Sequence, residues 1–241
     1  MSIKGVLFHP VKEPCPYLEG KISVSENMRI DEIDDVDLEM LLSLGFRHFG
    51  EIFFRPICGV CRSCIPIRIP VGQFSPSRAV RRLFNRNKHL KVALEQPVPS
   101  EQNYELYKQH KKRFKSQVFD SYDLYVKSFF GPPYFTFNRV LTVRDGGKTV
   151  ALTHLDVTAN AMSAVYCYFD ECYSHCSPGK FSVYKEIEIC RELGIRWLYL
   201  GYYVPGNRHM NYKIQFKPNQ LMRKNYKWID YLDSSGNIVK P

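Results

Sequence analysis

A mixed α/β (α+β) protein is what the amino-acid sequence predicts, and three observations carry that prediction. The segment KFSVYKEIEICREL, Lys180 to Leu193, places Val183, Tyr184, Ile187, Cys190 and Leu193 on one face at helical spacing. The apolar stretches YFTFNRVLTVRD and KTVALTHLDVTA are joined by Asp145-Gly146-Gly147, a strong hairpin signal. IRWLYLGYYV, starting at Ile195, is an apolar run of strand length and reads as a buried strand.

The remaining elements follow in chain order. Glu26 to Glu39 holds seven acids and one Arg, and reads as a solvated helix running into the apolar MLLSLGF, with Gly45 as its C-cap. EIFFRPICGVCRSCIPIRIPV, from Glu51, reads as two strands interrupted by a cysteine-bearing loop. Pro66 and Pro70 demote the second of these to an edge or a short piece. VALEQPVPSEQ has the composition of a linker and sets a boundary near residue 95, between an N-terminal cysteine-containing α/β domain (1–95) and a second domain (96–241). The second domain opens with a helix from about Glu101 to Phe114 and continues through aromatic loop material into the hairpin. A third strand, MSAVYCYFD, a loop with Pro178-Gly179, the helix capped by Gly194 and the late strand complete it.

With 241 residues, 44% of them hydrophobic and 24% charged, the chain can bury a sizeable core. No apolar run approaches the roughly 20 residues of a membrane span, and the N-terminal apolar stretch is too short for a signal peptide. The reading is therefore cytoplasmic, with no membrane partner. The net charge of +10 favours a polyanion, with nucleic acid first and an acidic membrane surface second. Arg78 to Lys91 carries six Lys or Arg and no acid, and further basic stretches run over 108–115 and 207–227. Arg81, Arg82, Arg86 and Lys88, interleaved with Leu83 and Phe84, fit an amphipathic element with one phosphate-facing side.

In a reducing compartment the eight cysteines read as thiols, metal ligands or redox centres. Cys58, Cys61 and Cys64, with Cys15 ahead of them, have spacing that lets thiolates converge on a soft ion or cluster. They read equally as small buried hydrophobes in a tight loop. Cys167, Cys172 and Cys176 with His175 match no common ligand spacing.

The order helix, antiparallel strands, helix, strand resembles the GNAT acyltransferase fold, in which two strands around a central helix splay apart to admit the acyl donor. The segments CPYLEG, LSLGF, RPICGVCRSCIPIRIPV, FSPSRAVRRLFNRN and WLYLGYYVPGNRHMNYKIQFKP, spanning Cys15 to Pro218, resemble signature segments of the arginyl-tRNA–protein transferase superfamily. They are most similar to its short bacterial branch, the aspartate/glutamate leucyltransferases. The resemblance implies a GNAT-like domain using aminoacyl-tRNA, preceded by a small N-terminal domain that helps bind a protein acceptor beginning with Asp or Glu. It also implies an iron–sulfur cluster on N-terminal cysteines, with Cys15 at the first such position and Cys61 and Cys64 near the later ones; with Cys58 from the spacing, these are the candidate ligands of a cluster or zinc, although the transfer itself requires no cofactor.

Such a site needs a base, an oxyanion donor and cations for an acidic acceptor. Asp156 and Glu186 are the candidate bases, and Tyr202 is the candidate for a carbonyl or amine contact. Arg68 and Lys213 are the candidate cations, with Tyr212 beside the latter. Lys180 and Ser182 lie at a strand-to-helix turn whose free N–H groups suit a tRNA 3′-terminal phosphate. Arg78, Arg81, Arg82, Arg86, Lys88 and Arg208 are the candidate tRNA contacts. Leucyl and arginyl donors both stay open. Two rival classes are an acetyl-CoA-dependent GNAT acetyltransferase and a nucleic-acid-binding module with a cysteine metal site.

Overall fold

The structure is a computed structural model and describes residues 3–113, 119 and 121–238. β1 (Lys4–Leu7), β2 (Val11–Pro14) and the long β3 (Ile22–Glu32) lead into α1 (Asp35–Ser43) and the hairpin β4 (Arg47–Phe49) and β5 (Ile52–Pro56). After the cysteine loop come β6 (Ile65–Pro70), α2 (Arg78–Arg86), β7 (Lys91–Glu95), α3 (Glu101–Lys111) and α4 (Tyr122–Phe129). The chain closes with β8 (Asn138–Asp145), β9 (Lys148–Val157), β10 (Ala161–Phe169), α5 (Pro178–Glu192), β11 (Trp197–Tyr203), β12 (Asn219–Met222) and β13 (Trp228–Leu232).

Two sheets result. The first joins β1, β3, β5 and β4 in that order, with β2 also on β3, and the second is eight-stranded in the order β13-β12-β6-β11-β10-β9-β8-β7. Strand alternation gives the large sheet two apolar faces. On one, Leu141, Leu155, Met162 and Leu198 meet Val183, Ile187 and Cys190 of α5. The other is shared: Phe135, Phe137, Ala161 and Tyr199 pack against Ile30, Phe46 and Phe53 of the N-terminal unit, while Leu152 and Tyr168 pack against α3 and α4 through Tyr107, Tyr125 and Phe129. Each of these large side chains contributes about 1.5–3 kcal/mol by leaving water.

The hairpin, the third strand, the long helix and the late strand form where the sequence places them, and α5 connects β10 to a parallel β11. This is the mixed α/β, GNAT-like arrangement. Other expectations are corrected. Residues 26–32 extend β3 instead of forming a helix, because β3 has partners on both edges, β5 on one and β1 and β2 on the other. The helix starts only where Asp34 accepts a hydrogen bond from the Asp37 N–H, and Gly45, at φ +85°, follows its end.

β6 is no edge strand, since it pairs with β11 on one side and β12 on the other. It tolerates Pro66 and Pro70 because β12 pairs only at Ile67 and Arg68, between them. Whatever the boundary between domains, β6 and β7 both belong to the large sheet, and the two sheets divide at the cysteine loop. The aromatic stretch after α3 contains α4, capped by Ser121. The helix ends at Lys111, and Phe114 lies outside the described residues.

Candidate active site

β10 and β11 pair only over Ala161–Ser163 and Trp197–Tyr199, and then part. The cause is local. β10 slips register against β9 between Ala164 and Tyr166, and β11 slips against β6 between Tyr199 and Tyr202, so irregularities on two facing strands turn them away from each other at one level. Gly201, at φ +79°, supplies the left-handed residue that the second slip requires. A single 3-10 turn over Asn211–Gln215 packs on β11 and brings Tyr212 and Lys213 to the opening.

Cations gather on the side facing the N-terminal unit. Arg47, from β4, is buried, donates to the Phe46 and Gly201 carbonyls and lies near the rings of Tyr199 and Tyr202. Its Nε has no hydrogen-bond partner among the described residues. A Cβ at position 201 would lie 3.3 Å from Lys213 Nζ and 3.8 Å from Arg47 Nε, so both cations converge over the one residue without a side chain. Burial, and then the charge of Arg47, push the Lys213 ammonium down to about 7. Among the described residues no carboxylate forms an ion pair with either.

Asp156 and Tyr202 stand nearby but are committed elsewhere. Asp156 accepts from His48 Nε2 at 3.0 Å, while His48 Nδ1 lies 2.9 Å from the Gly50 carbonyl. Both partners are acceptors, so the ring donates from both nitrogens and is an imidazolium. Burial opposes that charge, but the charge of Asp156, the bond to it and the Gly50 carbonyl outweigh burial and raise the His48 pKa. Asp156 is thus half of a sealed ion pair, on the sheet face away from α5. The Tyr202 hydroxyl donates to the Gly45 carbonyl at 2.8 Å, which ties β11 to the end of α1 and leaves the ring to flank Arg47.

The opposite side of the split, toward α5, is acidic. Glu186 is fully buried and neither of its carboxylate oxygens has a partner among the described residues, so burial pushes its pKa up to about 8. Its neighbours are the Cys167 thiol, which lies against the hydroxyls of Thr153 and Ser182, and the Tyr212 hydroxyl, whose pKa is raised by burial and then by the charges of Cys167 and Glu186. Ser182 therefore faces the core beneath β10 instead of the open start of α5, where Lys180 is exposed.

Arg68 is not brought to Lys213. It is wedged with its guanidinium carbon 3.6 Å from the Trp197 ring centre and 4.4 Å from that of Trp228, and it donates to Gln220 and the Tyr199 hydroxyl. It lines a cavity of about 430 Å³ with Glu39, Arg196 and Trp197, at the paired end of β10 and β11. Arg78, Arg81, Arg82, Arg86 and Lys88 are exposed along and just after α2, whose Val80 and Leu83 are buried and whose Phe84 packs on Phe181 of α5. Arg208 is exposed on the loop after β11.

The four N-terminal cysteines share one neighbourhood beside this loop, where the Asn207 side chain donates to the Tyr17 carbonyl at 2.6 Å. Burial, followed by the charges of Cys15, Cys58 and Cys61, pushes the Cys64 thiol up to about 12. Soft donors of this kind suit a cation or cluster chemically. As placed, no three Cys, His, Asp or Glu among the described residues are close enough to hold one.

Arg47 and His48 are the residues that sequence reasoning missed. Their signal was weak, because RHF sits between the apolar LSLGF and a glycine and looks like the start of an ordinary strand.

Residues 13–82 match the description of the N terminus of arginine-tRNA-protein transferase, and residues 102–223 match that of its C terminus. The chain is 32% identical over 225 residues to a Campylobacter jejuni protein named aspartate/glutamate leucyltransferase, covering 90% of this chain and 92% of that one. It is 33% identical over 230 residues to a Pseudomonas aeruginosa protein of the same name, with the same coverage. Among solved structures, L-PGS from Bacillus licheniformis aligns with a TM-score of 0.46 at 14% identity, over 74% of this chain and 55% of that one. FemX aligns with a TM-score of 0.46 at 10% identity, over 74% of this chain and 63% of that one.

Proposed function

The chain belongs to the arginine-tRNA-protein transferase family and is an aminoacyltransferase acting on charged tRNA and protein, and from that premise we propose that it moves leucine onto the N-terminal amine of proteins beginning with Asp or Glu. The product is marked for N-degron degradation. The observation that carries the acceptor choice is the pair of buried Arg47 and half-buried Lys213 over Gly201, with no carboxylate among the described residues paired to them. Two uncompensated cations in a partly desolvated site are costly alone and favour an anionic ligand. An Asp or Glu side chain supplies that anion, while Asn or Gln does not.

With the side chain held there, the acceptor amine is directed into the split, where the aminoacyl ester lies. The amine nitrogen attacks the ester carbonyl, the C–N bond forms, the C–O bond to the tRNA ribose breaks, and the amine proton ends on the ribose oxygen. An α-amine has a pKa of about 7.7–8.0, so an appreciable fraction is already neutral and positioning can supply much of the acceleration. Arg78, Arg81, Arg82, Arg86, Lys88 and Arg208 would receive tRNA phosphates, with Lys180 at the exposed start of α5 as a further contact. We place the reaction in the cytoplasm, where thiols stay reduced.

The test is to incubate the protein with leucyl-tRNA, arginyl-tRNA or acetyl-CoA and peptides beginning with Asp, Asn or Ala. Leucylation of the Asp peptide roughly 10- to 100-fold faster than of the Asn peptide is expected, from charge-assisted contacts of about 1.5–3 kcal/mol. Transfer from arginyl-tRNA alone would overturn the donor assignment, and equal rates for Asp and Asn would overturn the acceptor assignment.

Cys15, Cys58, Cys61 and Cys64 would hold an iron–sulfur cluster or zinc, whose chemistry here would be to tie the loop over residues 57–64 to the first strands. Anaerobically purified protein is expected to carry iron and sulfide, or zinc, in stoichiometric amount. Protein with none of these would overturn that reading.

A further inference from the structure

An aminoacyl donor differs from an ordinary acyl donor by the free α-amino group next to its ester carbonyl. In water that group is largely an ammonium below its pKa of about 7.7–8.0. A site that takes such a donor out of water must therefore face the amine with an acceptor, preferably an anionic one.

The wall of the split on the α5 side carries one. Glu186 is fully buried, neither oxygen has a partner among the described residues, and the groups around it, Cys167 and Tyr212, are neutral. Such a carboxylate costs stability unless a ligand completes it. We propose that Glu186 is the receptor for the α-amino group of the esterified amino acid, and so a specificity-determining residue that admits aminoacyl donors over plain acyl donors. This inference rests on the aminoacyl-transfer reading above.

Three features assign Glu186 to the donor and not to the acceptor. The acceptor's amine is only a few bonds from its own acidic side chain, which is held by Arg47 and Lys213. Arg47 approaches Gly201 from the N-terminal unit, on the opposite face of the sheet from α5, and Lys213 meets it there from the 3-10 turn. Adjacent residues of the 3-10 turn keep the two reactants apart, Tyr212 lying within electrostatic range of Glu186 and Lys213 within that of Arg47. The proton balance also holds. A protonated Glu186 meeting a neutral amine, and a carboxylate meeting an ammonium, are the same pair with one proton moved, so the donor can bind without net charge entering the core.

The experiment compares single-turnover transfer to an Asp peptide from leucyl-tRNA and from its α-hydroxy analogue, in which a hydroxyl replaces the amine. The unmodified protein should prefer leucyl-tRNA by roughly 10-fold or more. Glu186→Gln should lose most of that preference by slowing the leucyl donor while leaving the hydroxy donor within about threefold. Glu186→Leu should likewise lose the preference and melt at or above the temperature of the unmodified protein, since an unpaired carboxylate is removed. Glu186→Gln slowing both donors equally would assign the residue to the acceptor amine or to structure and overturn the inference. No transfer from either donor by the unmodified protein would instead overturn the proposed function, and the inference with it.

Discussion

Arg47 and His48 are neighbours in β4, and both are buried where the N-terminal unit meets the large sheet, yet they end in opposite situations. His48 finds a carboxylate and a carbonyl, and its charge is neutralised inside the fold. Arg47 finds carbonyls, aromatic rings and a second cation, Lys213, and its charge is left over. A charge that the protein completes by itself is part of the scaffold. One that it leaves incomplete at an opening between strands marks the place for a ligand.

The largest effect should come from opening the sealed pair. Asp156→Ala leaves the buried His48 without its counter-ion and should destabilise the fold by about 3–5 kcal/mol in denaturant titrations. The pH dependence has a fixed sign. The folded pKa of His48 is raised above 6.5, so its contribution is fully present below that value and is lost as pH rises through the folded pKa. Asp156→Ala should flatten that decline, and a loss under about 1 kcal/mol would show that the pair is not structural.

A smaller, purely functional effect is expected from the unpaired cations. Lys213→Met or Arg47→Met should reduce the Asp-over-Asn preference by about 10- to 100-fold in kcat/KM. Arg68→Met should leave the preference intact and instead lower stability by about 1–3 kcal/mol, because that guanidinium fills the space between two tryptophans and bonds two side chains. Because burial holds Lys213 near 7, raising the pH from 6 to 8 should weaken the preference as the ammonium is lost. A preference that follows Arg68 would reverse the comparison.

The smallest change concerns the exposed face of α2. Replacing Arg81, Arg82 and Arg86 with Ala should leave peptide preference alone and flatten the dependence of log tRNA affinity on log salt by about 0.7–0.9 for each phosphate no longer neutralised. An unchanged slope would make this face merely solvated.

Legibility in the sequence varied with the range of the interactions involved. The hairpin at Gly146, the α5 face and the exposed arginines of α2 were readable because each is encoded within a few turns or strand positions. The strand over residues 26–32 was not, since its acidic composition suits a solvated helix and only pairing with β5 and β1 makes it extended. Of the candidate residues, Lys213, Tyr212 and Glu186 do meet at the split, while Arg68, Asp156 and Tyr202 are held by partners distant in the chain.

By itself, the sequence determined the mixed α/β class, the order of the second-half elements and the cationic character, since periodicity, turn residues and charge are local properties of the chain. The tertiary structure alone decided which charges are spent and which are left over. His48 and Asp156 lie 108 positions apart, and Arg47 and the Gly201 carbonyl 154. No local pattern reports whether a buried charge will find its partner, because the cost of burial and the relief from pairing depend on groups that only folding brings within a few ångströms.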